Sequence, residues 1–270
     1  MIPFFRRIRK QLADDNKPLK YMRYAIGEIV LVVIGILIAL SFNNWNEKRK
    51  EKNEELLVLK SMKVGLNKNL NEHLTDRRNV QKALKGSLKI LKIIETNDFQ
   101  NDSITDYFST INLYTPFFPD QSAYQSLLSN GTEIISNEDL RNKITGYFEG
   151  GQGRITYFES NPARNPTLIL YDYMIKNFKV LIKKDIDSML KIDLNKFDTA
   201  SILFGYFDNN EHIQRIPKDI HATLNDPEFK ILLARAIQGA ASLNGIHSRG
   251  IEIIQGLLVQ IDNEIQNLNN

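Results

Sequence analysis

The sequence predicts a mainly α-helical protein, with one transmembrane helix followed by an extracytoplasmic helical bundle that two long antiparallel helices frame. Three observations support this fold class. The stretch from Tyr24 to Trp45, YAIGEIVLVVIGILIALSFNNW, is the only long apolar run in the 270 residues. Residues 46–95 contain no proline and repeat apolar side chains every three or four positions, as an amphipathic helix does. The segment 227–268 starts with proline and predicts a second long helix.

The apolar run is long enough to cross a bilayer. No residue from Ile29 to Asn46 is charged. A helix covering 24–45 reaches roughly 33 Å, and the hydrocarbon core of a bilayer is about 30 Å thick. Four aromatic side chains flank the run and suit the two headgroup levels, namely Tyr21, Tyr24, Phe42 and Trp45. We therefore interpret residues 24–45 as a transmembrane signal anchor.

Charge predicts the orientation of this anchor. The tail, residues 1–23, has seven basic and two acidic residues, whereas residues 47–55 have four of each. The positive-inside rule then places the tail in the cytoplasm and the body, residues 46–270, outside it. The alternative is a signal peptide cleaved after Ser41, because small residues precede that position at the usual spacing.

The tail itself has an amphipathic pattern. Its apolar residues fall on one helical face and its arginines on the other, which favours a helix lying on the anionic cytoplasmic leaflet. The predicted lipid-surface contacts are Phe4, Phe5, Arg6, Arg7, Ile8 and Arg9. The alternative is an ordinary basic tail without a helix.

Small residues in the anchor suggest contact with another membrane helix. Gly27, Gly35 and Ala39 share one helical face, and Gly35 and Ala39 form a small-xxx-small pattern that lets two helices approach closely. Glu28 lies one turn inside the cytoplasmic end and either pairs with a partner helix or reaches back to the interface. We therefore predict self-association or contact with another membrane protein through these four residues. The alternative is that small residues simply occur in membrane helices without such a contact.

Composition limits what the body does. Removing the tail's charge of +5 from the total of +3 leaves the body slightly acidic, which gives nucleic-acid binding no electrostatic support. The chain has no cysteine, so disulfides and thiolate sites are excluded. The apolar stripe of 46–95 either packs into the body's own core, which we favour, or forms a coiled-coil seam with a second copy.

Shorter elements are expected between the two long helices. We expect helices at 103–113 and 167–178 and a helix–turn–helix within 120–149, in which Ser136 caps the second helix. Glycines 150, 151 and 153 are interpreted as a flexible point. The region 179–221 has only weak helical patterns and turns.

The search for chemistry finds no motif. The four histidines, at positions 73, 212, 221 and 247, form no pair at helical spacing, so a metal site would need distant segments to converge. No phosphate-binding loop, nucleophile elbow or calcium loop is present in the sequence. We therefore expect no catalytic residue, no cofactor and no metal.

Two segments show a resemblance to a known family. The anchor, YAIGEIVLVVIGILIAL followed by NNWNE, resembles the opening of an uncharacterised family of bacterial single-pass membrane proteins known mainly from the Bacteroidetes. The stretch AYQSLLSNGTEIISNEDLRNKITGYF is similar to that family's internal helix–turn–helix. The resemblance implies an inner-membrane protein with a periplasmic helical domain, and it transfers no activity and no site residue.

The leading functional expectation is therefore a non-enzymatic envelope protein that serves as an anchored interaction or scaffold module. A first alternative is a ligand-sensing or accessory subunit that signals through a partner membrane protein. A second is an enzyme whose site is assembled from scattered residues.

Overall fold

The structure, a computed structural model, describes residues 18–111, 116–182 and 213–269, and it is mainly helical. The α-helices are α1 (Pro18–Thr96), α2 (Ile104–Thr110), α3 (Ser122–Asn130), α4 (Glu138–Thr145), α5 (Gln152–Ser160), α6 (Pro166–Asn177), α7 (Ile220–Asn225) and α8 (Pro227–Asn269). A 3-10 turn covers Thr132–Ile134, and a π-helical segment, Gly146–Gly151, joins α4 to α5. The strands are β1 (Phe178–Ile182) and β2 (Ile213–Pro217).

The chain divides into two compact units, one ending at Leu57 and the other comprising Val58–Asn270. In the first unit, α1 exposes all its large apolar side chains from Ile29 to Phe42, each by 46% to 68%. It is one helix near the N-terminus that is long and apolar enough to cross a membrane, with a mean hydropathy of 2.7 over its most apolar window. The prediction of an apolar N-terminal helix is confirmed.

The second unit is organised on two buried stripes. In α1 the stripe alternates steps of three and four residues, and it comprises Leu59, Met62, Leu66, Asn69, His73, Asp76, Val80, Ala83, Ser87 and Ile90. In α8 the same alternation comprises Phe229, Leu233, Ala236, Ala240, Leu243, His247, Gly250, Ile254, Leu257 and Ile261. This is the heptad pattern of helices that pack side by side over a long distance. The stripe of 46–95 thus faces the protein's own core from Leu59 onward.

Contacts run in opposite directions along α1 and α8. Leu66 shares a cluster with Ile254, His73 lies against His247, and Ile90 shares a cluster with Leu233. The other helices complete these clusters. Helices α3 and α4 pack at the Leu66 end, and α2 and α6 pack at the other.

The turn between α3 and α4 differs from the prediction in one residue. Gly131 has a φ of 94°, so it ends α3 in a conformation that side chains rarely adopt. The cap of α4 is Asn137, whose side chain accepts a hydrogen bond from the Leu140 amide, and the predicted cap Ser136 is wrong. A tertiary contact explains the choice, because Asn137 also donates to Glu264 of α8 at 2.7 Å.

Two further expectations are wrong. Glycines 150, 151 and 153 do not break the helix, because the chain passes from α4 through the π-helical segment into α5. The weakly patterned region 179–221 contains strand residues near both of its ends, since β1 and β2 pair antiparallel with Phe178 opposite Pro217. The helix expected at 103–113 is shorter, and it ends at Thr110.

The start of α8 follows its sequence signal. Asp226 precedes Pro227 at the first helical position and accepts a hydrogen bond from the Glu228 amide at 2.9 Å. It also accepts one from the Tyr173 hydroxyl at 2.6 Å, which ties α8 to α6. The Tyr173 bond and the adjacent backbone amides hold the pKa of the Asp226 carboxyl below its usual value.

Candidate functional site: a buried histidine pair beside an open groove

Polar side chains occupy the middle of both stripes, and the first residue of α5 joins them. Asn69, His73 and Gln152 are 1%, 0% and 3% exposed, and His247 is 0% exposed. Together with Tyr147 these residues form what we term the polar layer. Asn69 fastens the layer to the start of α3, because its side chain exchanges two hydrogen bonds with the backbone of Asp120.

The centre of the polar layer is a contact between two imidazole rings. The Nδ1 atoms of His73 and His247 are 3.1 Å apart, and the Tyr147 hydroxyl lies 3.5 Å from His73 Nε2. One Nδ1 must donate and the other accept, so a hydrogen bond requires that at least one ring be neutral. The Phe117 ring covers His73 with the centroids 4.3 Å apart.

Burial keeps both histidines uncharged. It lowers the pKa of His73 to about 3, with a further contribution from His247, and it lowers the pKa of His247 to about 4, with a contribution from Arg77. Burial also raises the pKa of the Tyr147 hydroxyl to about 12. The layer is therefore neutral at pH 7, and it has no group poised for proton transfer near that pH.

The nitrogen atoms of the pair contact each other and the Tyr147 hydroxyl, with one exception. His73 Nδ1 is engaged with His247, and His247 Nε2 is buried without a hydrogen-bond partner in the described ranges. Within those ranges, no three histidine, aspartate or glutamate side chains are grouped as metal ligands. The geometry is that of a register-fixing polar contact in a helix seam.

A groove opens beside this layer. It has a volume of about 880 Å³ and lies between α8 and the α4–π–α5 helix, with His73 on its inner side. Six of the chain's 14 glycines line it, on both walls: Gly146, Gly150, Gly151, Gly245, Gly250 and Gly256. One wall is the π-helical segment, a form that occurs mostly as single turns and frequently at functional sites.

Only some of these glycines are needed for internal packing. A Cβ on Gly250 would lie 2.5 Å from His73 Cε1, so this glycine makes room for the imidazole. A Cβ on Gly146, Gly150, Gly245 or Gly256 would meet nothing within 4 Å. A helical glycine costs about 1 kcal/mol relative to alanine. These four therefore cost stability with no compensating contact among the described residues.

Charged residues stand at the edges of the groove. Lys143 is held by Asp139 at 2.6 Å, and Arg249 is held by Glu252 at 2.7 Å. Arg154 is exposed, and it forms no ion pair within the described part of the chain. The groove thus has three cations on its lining and one carboxylate.

The residues predicted from sequence lie elsewhere. Gly27, Gly35, Ala39, Phe42 and Trp45 are exposed on α1, and Glu28 is half-buried. Gly27 and Gly35 have open space where a Cβ would project. The predicted lipid-surface residues at positions 4–9 lie outside the described residues, as do the side chains of two residues of α1, Tyr21 and Tyr24.

Sequence reasoning missed the histidine pair because its members are 174 residues apart. A signal was nevertheless present. Both histidines occupy positions of the alternating three-and-four stripes, on helices predicted to be antiparallel. Extending the stripes through their polar members would have placed His73 and His247 in one layer.

A comparison with known protein families decides the membership of this chain. The profile described as "Family of unknown function (DUF6090)" matches residues 28–165, just over half of the chain. The chain belongs to DUF6090. No curated protein and no solved structure matches it. The DUF6090 match includes His73, Tyr147 and the groove wall formed by the α4–π–α5 helix. It ends before α8, which carries His247 and the opposite wall.

Proposed function

We propose that this protein is a non-enzymatic, membrane-anchored interaction module. Residues 24–45 span a bacterial inner membrane, of the kind found in Bacteroidetes, with the basic tail in the cytoplasm. Residues 46–270 form a helical bundle in the periplasm. The observation that supports this most is the exposure of every large apolar side chain from Ile29 to Phe42. Exposure of an apolar surface of this length to water is unfavourable, whereas the hydrocarbon core of a membrane would cover it.

The polar layer argues for a structural centre. Its two histidines are fully buried, held neutral by burial and hydrogen-bonded to each other. General acid–base catalysis works best with a pKa near the operating pH and needs access for a substrate. A binding role therefore agrees better with this centre than a catalytic one, and the open groove is the surface that such a role would use.

The anchor supplies a second means of association. The Gly35–Ala39 part of the face shared with Gly27 carries no side chain larger than a methyl group, so a neighbouring membrane helix can approach the backbone closely there. Glu28 lies at the cytoplasmic end of that face. The partner is a second copy of the chain or another membrane protein, in addition to the bilayer itself. Nucleic acid is not among the proposed partners.

The groove favours a second candidate function, a ligand-sensing or accessory subunit. Its volume of about 880 Å³ is in the range of small-molecule pockets, about 300–1,000 Å³. Such a subunit would transmit its signal through the membrane helix of a partner protein.

Mild crosslinking of cells, followed by extraction in neutral detergent and mass analysis of what copurifies, tests the proposal. An interaction module is expected to bring down a second copy or a stoichiometric membrane partner, and Gly35→Ile with Ala39→Ile is expected to reduce it. Gly153→Ala is a matched control outside the membrane. Recovery of a lone monomer, unchanged by the double substitution, would contradict the proposal.

A further inference from the structure

We propose that the groove between α8 and the α4–π–α5 helix binds an elongated apolar anion that carries a hydrogen-bond donor, in the manner of an N-acylated amino acid. The inference does not depend on which side of the membrane the body lies. It draws on the groove's size, its open glycines, its charges and one unpartnered amide oxygen.

The shape of the site comes from its glycines. Four of them, at positions 146, 150, 245 and 256, leave the helix backbone bare toward open space. The lining runs along α8 from Ser242 to Gln260, which is about 27 Å of helix. A narrow, extended ligand can lie against bare backbone of this length, whereas a bulky one would not need four glycines to fit.

Apolar side chains between the glycines make part of the groove surface apolar. Ile155 on one wall and Leu257 on the other are almost wholly buried, whereas Ile246 and Ile253 are half-buried and offer apolar surface to a ligand. All four lie on the lining. Such a surface favours the removal of a hydrocarbon chain from water.

The charge of the lining selects an anion. Lys143 and Arg249 are each held by a carboxylate, which leaves Arg154 as the cation without an ion-pair partner in the described part of the chain. Arginine presents parallel N–H donors that match a carboxylate in a bidentate fashion. An acidic head group on the ligand is therefore expected to bind at Arg154.

The remaining polar requirement comes from Gln260. Its amide oxygen Oε1 is buried and accepts no hydrogen bond from the residues that the structure describes. It belongs to the groove lining. A buried acceptor without a donor is costly, and rotation of this half-buried side chain toward the groove would let an amide N–H or a hydroxyl on the ligand satisfy it. A carboxylate, an apolar chain and a donor together define the ligand class.

The probe is N-dodecanoylglycine with a diazirine in its chain, added to the full-length protein in neutral detergent micelles. After illumination, the labelled residues are identified by peptide mass spectrometry. The methyl ester of the same probe is the matched neutral ligand. We expect saturable labelling of the groove around Ile155 and Ile246 by the acid, with labelling by the ester about tenfold weaker, the loss of roughly one charge-assisted hydrogen bond.

Three variants make the result specific. Gly245→Leu fills the groove, and it is expected to abolish labelling there while the protein melts no lower than wild type, because its Cβ enters open space. Gly153→Leu is the matched control, since Gly153 is equally open but does not line the groove. Arg154→Gln is expected to weaken labelling by the acid to the level of the ester.

Several results would overturn the proposal. Labelling confined to residues 24–45 would show that the probe enters only the micelle and the membrane helix. Equal labelling by the acid and the ester would show that Arg154 does not bind the acidic head group. Persistence of groove labelling in Gly245→Leu would place the probe elsewhere. Dissociation of an oligomer by Gly245→Leu would identify a second copy of the chain as the occupant instead.

Discussion

Acid should destabilise this protein through its buried histidine pair. An unfolded histidine has a pKa near 6.5, and in the folded protein burial lowers the pKa of His73 to about 3 and that of His247 to about 4. Between these limits the unfolded chain binds more protons than the folded one. Stability is therefore fully present above pH 6.5, and it falls as the pH drops toward 4.

The size of the effect follows from linkage. Each histidine contributes up to about 1.4 kcal/mol per pH unit in this window, so the pair contributes up to about 2.7 kcal/mol per unit. A fall of two units would remove about 5 kcal/mol, which is comparable with the whole stability of many domains. The second protonation also forces two like charges together across a 3.1 Å contact.

The assay is urea unfolding of the full-length protein in neutral detergent at a series of pH values from 7 to 5, followed by circular dichroism. A double variant, His73→Leu with His247→Leu, places apolar side chains at both positions. Its free energy of unfolding should lose this dependence on pH. His221→Asn is the control, because His221 lies on the exposed surface of α7. Wild-type and double-variant slopes that agree would refute the reasoning, since carboxylates are common to both.

Four further substitutions test the packing, each by the change in the free energy of unfolding. Gly250→Ala should destabilise by about 1–3 kcal/mol because its Cβ would lie 2.5 Å from the His73 ring, whereas Gly256→Ala, in open space, should stabilise by up to about 1 kcal/mol. Equal effects of the two would contradict this account of the glycines. Leu66→Ala should cost about 2–5 kcal/mol, because Leu66 is 0% exposed within one of the two large core clusters. Asn137→Ala should lower the free energy of unfolding by about 1 kcal/mol through loss of the α4 cap. An unchanged free energy of unfolding would indicate that Ser136 is the cap instead.

The parts of the fold that the sequence predicted are those with strong local signals. Helix α1 ends at Thr96, where polar residues follow, and helix α8 begins at Pro227, which a capping residue precedes. The helix–turn–helix is also local, because Gly131 ends α3 by its own backbone conformation. These features depend on a few neighbouring residues, so composition and spacing suffice to find them.

The parts that were missed depend on distant residues. Strand β1 pairs with β2 across a long separation in sequence, and a run of five residues does not reveal its partner. Two adjacent residues, Ser136 and Asn137, both suited a cap, and the contact with α8 decided between them. Glycines that read as a break are helical, because the π-helical segment continues the hydrogen-bonded chain.

The candidate site was hidden for the same reason. The groove needs two walls from opposite ends of the chain, and the histidine pair needs the register of α1 against α8. Counting only apolar residues obscured that register, since the stripe of α1 passes through Asn69, His73 and Asp76. Polar members of a heptad stripe are the signal that reveals such a layer from sequence.

Labelling of single cysteines tests the central claim, a membrane anchor with the body outside the cytoplasm, most directly. The chain has no native cysteine, so Ser61→Cys on the exposed side of α1 and Lys10→Cys in the tail are unique labels. An impermeant maleimide, applied to cells whose outer membrane is opened, is predicted to label Ser61→Cys in the membrane fraction and to reach Lys10→Cys only after lysis. Labelling of Ser61→Cys only after lysis, or its release as a soluble protein, would contradict the account.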